Sequence, residues 1–244
     1  MHIIVATSRG KKLTKLHDPP RTWLTYIPGG TLDELTEAAV KLLAEARAHV
    51  RRWTYRQVDF VYFVGGLPDL TTRDKWRVFD GEKQYEEVYF NEDPHDTRDR
   101  MKVTLKRAAS TVLALDAIPV FSTIVPSHIE RWNHTRLGQH KTTHLLHFKD
   151  YKEMQIGLLQ ATIYTNQYIH ELNLENGVVT PSLAKKILFS RRLRYRFRHA
   201  ALEDGVHPNE EAADDWCTRI SDAMEYNDNL VNPQLPTRRD VVYH

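Results

Sequence analysis

The sequence predicts an α/β fold, a three-layer α/β/α sandwich built on a central parallel sheet. Two observations carry that expectation. Short apolar runs closed by glycine, proline or small polar residues recur at 2–8, 22–28, 58–64 and 118–125. Between and after them, longer stretches place apolar residues at helical spacing, and strands that alternate with helices become parallel neighbours covered on both faces. The length agrees: 244 residues, 41% of them hydrophobic, supply one large domain with a real core.

His2 to Ser8 reads as a buried strand ending at small polar residues, and Thr22 to Pro28 as a second, stopped by Gly29 and Gly30. Thr31 and Glu34 then make a capping box, with threonine as N-cap and glutamate reaching back. Behind it Leu32, Leu35, Ala39, Leu42, Leu43 and Ala46 keep a helical period to about residue 50. Val58 to Val64 is the third strand, closed by Gly65 and Gly66. Residues 73–100 are charged and aromatic without a period and are expected as a surface insertion. Within them the acidic run Glu92, Asp93, Asp96 and Asp99 suits the solvated start of a helix. A helix over 101–115 offers Val103, Leu105, Ala109, Val112 and Leu113 to the core. Ile118 to Val125 is the fourth strand, and a loop leads to a helix over 151–174. The last helix is expected over 208–224: Pro208 suits its first position, while Asn209, Glu210 and Glu211 favour the positive end of its dipole. One domain is expected over 1–224, with 225–244 as a loosely packed or disordered tail rich in Asn, Asp, Pro and Arg.

A formal charge of +2 implies no overall bias toward nucleic acid or membrane, although 27% of residues are charged. The single cysteine, Cys217, cannot form an internal disulfide and reads as a packed thiol. No apolar run reaches signal-peptide or membrane-spanning length, so an intracellular protein, cytoplasmic or nuclear, is expected.

In an open parallel sheet ligands bind at the carboxyl ends of the strands. That rule gathers Ser8, Gly29 with Gly30, Gly65 to Asp69, and the turn at Pro126, Ser127 and His128. Asp204 stands three residues before His207 on the turn entering the last helix, where a carboxylate can orient an imidazole. A serine hydroxyl needs an adjacent base at neutral pH. Histidine suits that task, and the carboxylate fixes its tautomer.

A serine ending the first strand, glycines ending the second and third, and Asp-x-x-His before the last helix resemble the SGNH, or GDSL-type, hydrolase family. The resemblance implies a flavodoxin-like strand order and a Ser-His-Asp triad. Ser8 would be the nucleophile, within Ala6-Thr7-Ser8 where the family has Gly-Asp-Ser. His207 would be the base, Asp204 its orienting carboxylate, and Gly29 an amide donor to the oxyanion. The stretch Gly66-Leu67-Pro68-Asp69 is similar to the family's Gly-x-Asn-Asp block; Gly30, Gly66, Asp69 and His128 are further oxyanion or substrate-binding candidates. Pro68 falls where the oxyanion asparagine belongs and brings neither a side-chain donor nor an N–H. His128 and Asn133 are the candidate replacements. The implied activity is a carboxylic-ester hydrolase, an esterase or deacetylase acting on a small-molecule ester, and it calls for no cofactor and no metal.

Plainer readings stand beside these. Asp204 could simply cap a helix, Ser8 could close a strand, and the glycines could be ordinary turns. His140, His144 and His147 share one helical face, without the carboxylate or cysteine that would complete a zinc site. The competing signal is the segment from Ser190 to His199, where Arg192, Arg194, Arg196 and Arg198 alternate with apolar residues, as in a strand with one cationic face. It suits phosphates or another polyanion, or an anionic substrate near the site, or a sheet edge whose arginines deter pairing. The alternative to an enzyme is therefore a weakened or inactive binding module on the same fold, taking nucleic acid or another polyanion. Domains similar to the SGNH family also occur in proteins of mobile elements and viruses.

Overall fold

Alternating side chains along the first strand fix its place. In a computed structural model, which describes residues 1–50, 58–77, 84–137, 148–185, 187–191 and 194–231, strand β1 (His2–Ala6) is buried throughout. Ile3 and Val5 join one apolar cluster, and Ile4 and Ala6 join another. A strand apolar on both faces has to lie inside a sheet covered on both sides. It does: β1 pairs in parallel with β2 (Thr22–Tyr26) and with β3 (Asp59–Val64), and β3 pairs in parallel with β6 (Ala117–Phe121). The sheet order is β2-β1-β3-β6, so the chain reverses direction across the sheet at β1. That reversal opens a crevice beyond the carboxyl end of β1.

Helices α1 (Leu32–Val50), α3 (Pro94–Leu113) and α5 (Tyr151–Glu175) cover one face. The other is covered by α6 (Glu210–Val231) and a 3₁₀ helix, Ser8–Leu16, through Leu13, Trp216, Ile220 and Met224. This is the expected three-layer sandwich. Cys217 is buried in the second layer.

The stretch expected as a surface insertion is two separate structures. Strands β4 (Thr72–Arg77) and β5 (Gln84–Tyr89) form an antiparallel pair, and α3 begins at Pro94, well before residue 101. Asp93 caps it, accepting from the His95 and Asp96 N–H groups at 2.7 and 3.3 Å. The first turns of α3 carry little apolar signal, which is why the period becomes visible only later. Met101, Leu105, Ala108, Ala109 and Val112 form its buried stripe. Val103 and Leu113, two expected core positions, are 64% and 48% exposed; both lie off that stripe.

Strand β6 ends at Phe121, not at residue 125. Two asparagines of α5, seven positions apart and so on one helical face, take over the pairing. Asn173 accepts from the Phe121 N–H at 2.9 Å and donates to its carbonyl at 2.7 Å. Asn166 does the same for Ile124, at 2.7 and 2.9 Å. The arginine segment is a hairpin, β7 (Leu188–Arg191) and β8 (Arg194–Phe197), instead of one strand. Arg192 lies outside the described residues, as do His140, His144 and His147. The remaining elements near the site are α2 (Leu67–Leu70) and α4 (Ile129–Leu137).

Helix α6 starts at Glu210, capped by Asn209, which accepts from the Ala212 N–H at 2.8 Å. Pro208 is not its first residue; it bridges to Leu202. The helix also runs past residue 224. Asn227, fully buried, accepts from the Val179 N–H at 2.7 Å and donates to the Tyr62 hydroxyl at 3.1 Å, so this part of the expected tail is core.

Candidate active site

The carboxyl ends of β1, β2 and β3 are level, with Ala6 opposite both Tyr26 and Val64. Hydrogen bonds continue past the strands: the Thr7 N–H donates to the Val64 carbonyl at 3.1 Å, and Ile27 to Ala6 at 2.8 Å. Ser8 follows at once, on the first residue of the 3₁₀ helix. That helix folds down onto the strand ends, and Gly10 is where they touch. A Cβ there would stand 2.4 Å from the Ala6 Cβ and 3.0 Å from the Tyr26 Cβ. The tight strand-to-helix turn therefore requires glycine two residues after Ser8.

Asp204 and His207 arrive from the far end of the chain on a loop closed at its base. Leu202 bridges to Pro208, and the Glu203 N–H donates to the His207 carbonyl at 2.7 Å. Gly205, at φ +91°, sits at the tip of the loop. It packs on the first turn of α4, and its carbonyl accepts from the His128 N–H at 2.7 Å. Arg131 adds a bond to the Glu203 carbonyl at 2.6 Å.

The outcome is a continuous chain of side chains. The Asp204 carboxylate lies 2.7 Å from His207 Nδ1, and His207 Nε2 lies 3.0 Å from Ser8 Oγ. Both spacings are hydrogen bonds within the range of an activated nucleophile. The other Asp204 oxygen accepts from the Val206 and His207 N–H groups at 2.9 and 2.8 Å. Burial alone would raise the Asp204 pKa. The hydrogen bonds from the His207 ring and from the two backbone N–H groups outweigh it and hold this carboxyl well below the ordinary range. An Asp204 that stays ionised accepts Nδ1–H, which leaves Nε2 as the acceptor for the Ser8 hydroxyl. His207 and Asp204 are 28% and 25% exposed, so the chain is open to a ligand from solvent. Trp132 walls it, with ring centroids of Trp132 and His207 5.7 Å apart.

The other expected site residues divide. Gly29, at φ +69°, ends the turn after β2. Gly30 spends its N–H on the Ile27 carbonyl at 3.1 Å. Gly66, at φ +95°, precedes α2, and Pro68 lies inside that short helix. Asp69, expected to face a substrate, instead caps α1. Its two oxygens accept from the Leu32 N–H at 3.2 and 3.0 Å, and burial pushes its pKa up to about 6. His128 supports the Asp204–His207 loop through its backbone, and its Nδ1 accepts from the Arg131 N–H at 3.1 Å. Asn133 cannot replace the missing donor. It is fully buried and spends its amide on the Val88 N–H, the Val88 carbonyl and the Tyr151 hydroxyl.

Sequence reasoning missed Gly10, Gly205, Trp132 and Arg9. Arg9 is buried directly after Ser8, donating from Nη1 to the Val125 carbonyl at 2.6 Å with its guanidinium 5.8 Å from the Trp216 ring. Burial draws its pKa down to about 10, with the Asp204 charge pulling the other way. Its position after a candidate nucleophile was the one signal available. Among the described residues no group of three or more potential metal ligands converges, and no helix is long and apolar enough to cross a membrane.

The chain has the fold of the GDSL, or SGNH, hydrolases. A GDSL-like lipase from Bacteroides thetaiotaomicron superposes with a TM-score of 0.54 at 13% identity, over 92% of this chain and 87% of that one. An acylhydrolase candidate from Bacteroides fragilis gives 0.53 at 13% identity, over 93% and 87%. No family model and no curated protein matches the sequence.

Proposed function

We propose that the protein is a serine hydrolase that cleaves a small acyl ester through an acyl-enzyme on Ser8. The observation that carries this reading is the Ser8–His207–Asp204 chain, which joins side chains 199 positions apart at 3.0 Å and is anchored by a carboxylate at 2.7 Å. Ser8 Oγ attacks the acyl carbon as its proton passes to His207 Nε2. The carbonyl oxygen becomes an oxyanion, for which the Ser8 and Gly29 amides are the backbone donors on this reading. Collapse expels the alcohol, which takes the proton from Nε2. Water then attacks the ester on Ser8 with His207 again as base, and the carboxylic acid leaves. Asp204 stays ionised throughout and stabilises the imidazolium. The fold, shared with a lipase and an acylhydrolase candidate at low identity, agrees with this chemistry without specifying the acyl group.

A serine-directed phosphonate should label Ser8, and p-nitrophenyl acetate should be hydrolysed. His207→Ala should lose both. A wild-type protein that neither labels nor turns over an ester rules the proposal out.

A further inference from the structure

A tetrahedral oxyanion needs donors on more than one side, and the third strand end offers none from its side chains. Along Gly66 to Thr71, Leu67 and Pro68 have no polar group and Asp69 is turned to the Leu32 N–H. The Thr71 hydroxyl donates to the Leu67 carbonyl at 3.1 Å. Two residues further on, at the start of β4, the chain places Arg73. Its guanidinium lies against Gly29, the residue whose amide the mechanism uses. A Cβ on Gly29 would stand 2.9 Å from Nη1, 3.3 Å from Nη2 and 3.5 Å from Cζ of Arg73. The cation thus occupies the space that a side chain on residue 29 would take. Glu86 accepts from the same Nη1 at the long distance of 3.5 Å, and the Arg73 side chain remains 38% exposed. A guanidinium carries five N–H donors, so that contact leaves donors over.

We propose that Arg73 is the third oxyanion donor, a charged group reaching in from β4 to supply what Pro68 cannot. The inference rests on the hydrolase reading above. As Ser8 Oγ bonds to the acyl carbon and the carbonyl electron pair moves to oxygen, the new negative charge meets the Arg73 N–H groups beside the Gly29 amide. Arginine donates hydrogen bonds in this step, and no proton is transferred from it. When the alcohol leaves, the electron pair returns to the carbonyl. A donor that acts only on developing charge raises kcat and leaves ground-state binding nearly untouched.

The test is steady-state kinetics on p-nitrophenyl acetate, a neutral ester, for wild type, Arg73→Met and Arg73→Lys, with melting temperatures measured in parallel. Arg73→Met should lose about 10²–10³ in kcat, the cost of one oxyanion donor, with KM within about threefold and an unchanged melting temperature. Arg73→Lys should keep part of the rate, and free guanidinium should restore part of it to Arg73→Met. A folded Arg73→Met that turns over the neutral ester at the wild-type kcat overturns the inference while leaving the hydrolase reading intact. An effect confined to KM, and only for esters bearing a carboxylate, overturns it too and moves Arg73 to substrate recognition. A wild type with neither activity nor phosphonate labelling removes both proposals together.

Discussion

Replacing Gly205 by alanine should injure stability and catalysis at once, for a reason visible in the packing. Gly205 has φ +91°, a region where a Cβ costs roughly 1–2 kcal/mol per residue. The new methyl would also stand 2.8 Å from the His128 carbonyl oxygen and 2.9 Å from the Trp132 nitrogen. These two atoms form the first-turn hydrogen bond of α4 at 3.0 Å. Neither can rotate away, so the loop must move, and overpacking of this kind costs about 1–3 kcal/mol. A combined loss of about 3 kcal/mol corresponds, for a chain of this size, to a melting temperature lower by about 6–12 °C. The displaced loop carries Asp204 and His207, and a shift of about 1 Å in a reacting group is worth about 10² in rate. Gly177→Ala is the control. Its φ is +70° and nothing lies within 4 Å of the added methyl, so it should show the conformational cost alone, about 1–2 kcal/mol, with kcat unchanged. The assay is a thermal scan with ester hydrolysis on both variants. If Gly205→Ala behaves as Gly177→Ala does, the docking of the loop on α4 does not position the catalytic pair.

Asp204→Asn should keep the fold but lower kcat by about 10⁴, since an amide favours the wrong imidazole tautomer. A loss below tenfold on p-nitrophenyl acetate contradicts the assigned role. The same carboxyl, depressed in the folded state, contributes stability that is complete above its unfolded pKa and lost as pH falls below about 4, so acid unfolding of Asp204→Asn should be shallower than that of wild type. Asp69 has the opposite sign. Burial raises its pKa from 3.8 to about 6, so the folded state holds a proton that the unfolded chain has already released, and stability falls as pH rises from about 4 to 6. At about 1.4 kcal/mol per pKa unit the upper bound is about 3 kcal/mol. Asp69→Asn keeps an acceptor for the Leu32 N–H and should flatten that slope and stabilise the protein at pH 7. Denaturant titrations across this range that show an unchanged slope would refute it.

Fold class was legible because it depends on periods. The apolar runs at 2–8, 22–28 and 58–64 each contain a sheet strand, and the run at 118–125 overlaps the fourth. Capping chemistry located α1 well, but Pro208 misled: a proline before a helix can equally close the preceding loop, as its bridge to Leu202 does. The end of β6 was not legible, because the partners that extend its pairing are Asn166 and Asn173, side chains on a helix some fifty residues away. The same reason separates the site residues that the structure brings together from those it does not. Ser8, Asp204 and His207 sit in short turns whose shape is local. Asp69 and His128, polar residues beyond strand ends, and Asn133, inside α4, have bonds that are settled by α1, by the loop at 203–207 and by β5. Sequence shows that such a residue is present, not which neighbour consumes it.

How a 3.0 Å contact forms between residues so far apart follows from the same division. The Ser8 turn is fixed by the fit of Gly10 over Ala6 and Tyr26. The Asp204–His207 loop is fixed by the Leu202–Pro208 bridge and by the Asp204 carboxylate holding two of its own N–H groups. Each half is shaped by contacts of its own, so what remains is one relative placement. The 3₁₀ helix packs on α6 through Leu13 and Trp216, and two further contacts bear on the loop itself. The ion pair of Lys12 with Glu203 spans the halves directly, but its side chains are 33% and 49% exposed, and such pairs contribute about 1 kcal/mol or less. The seat of Gly205 on α4 is backbone against backbone, with a hydrogen bond at 2.7 Å and no room for a methyl. A few tenths of an ångström decide whether Ser8 and His207 stay within hydrogen-bond reach, and of these two contacts the second is the stiffer. The helix that carries Trp132 beside His207 is therefore also the helix that aims the imidazole.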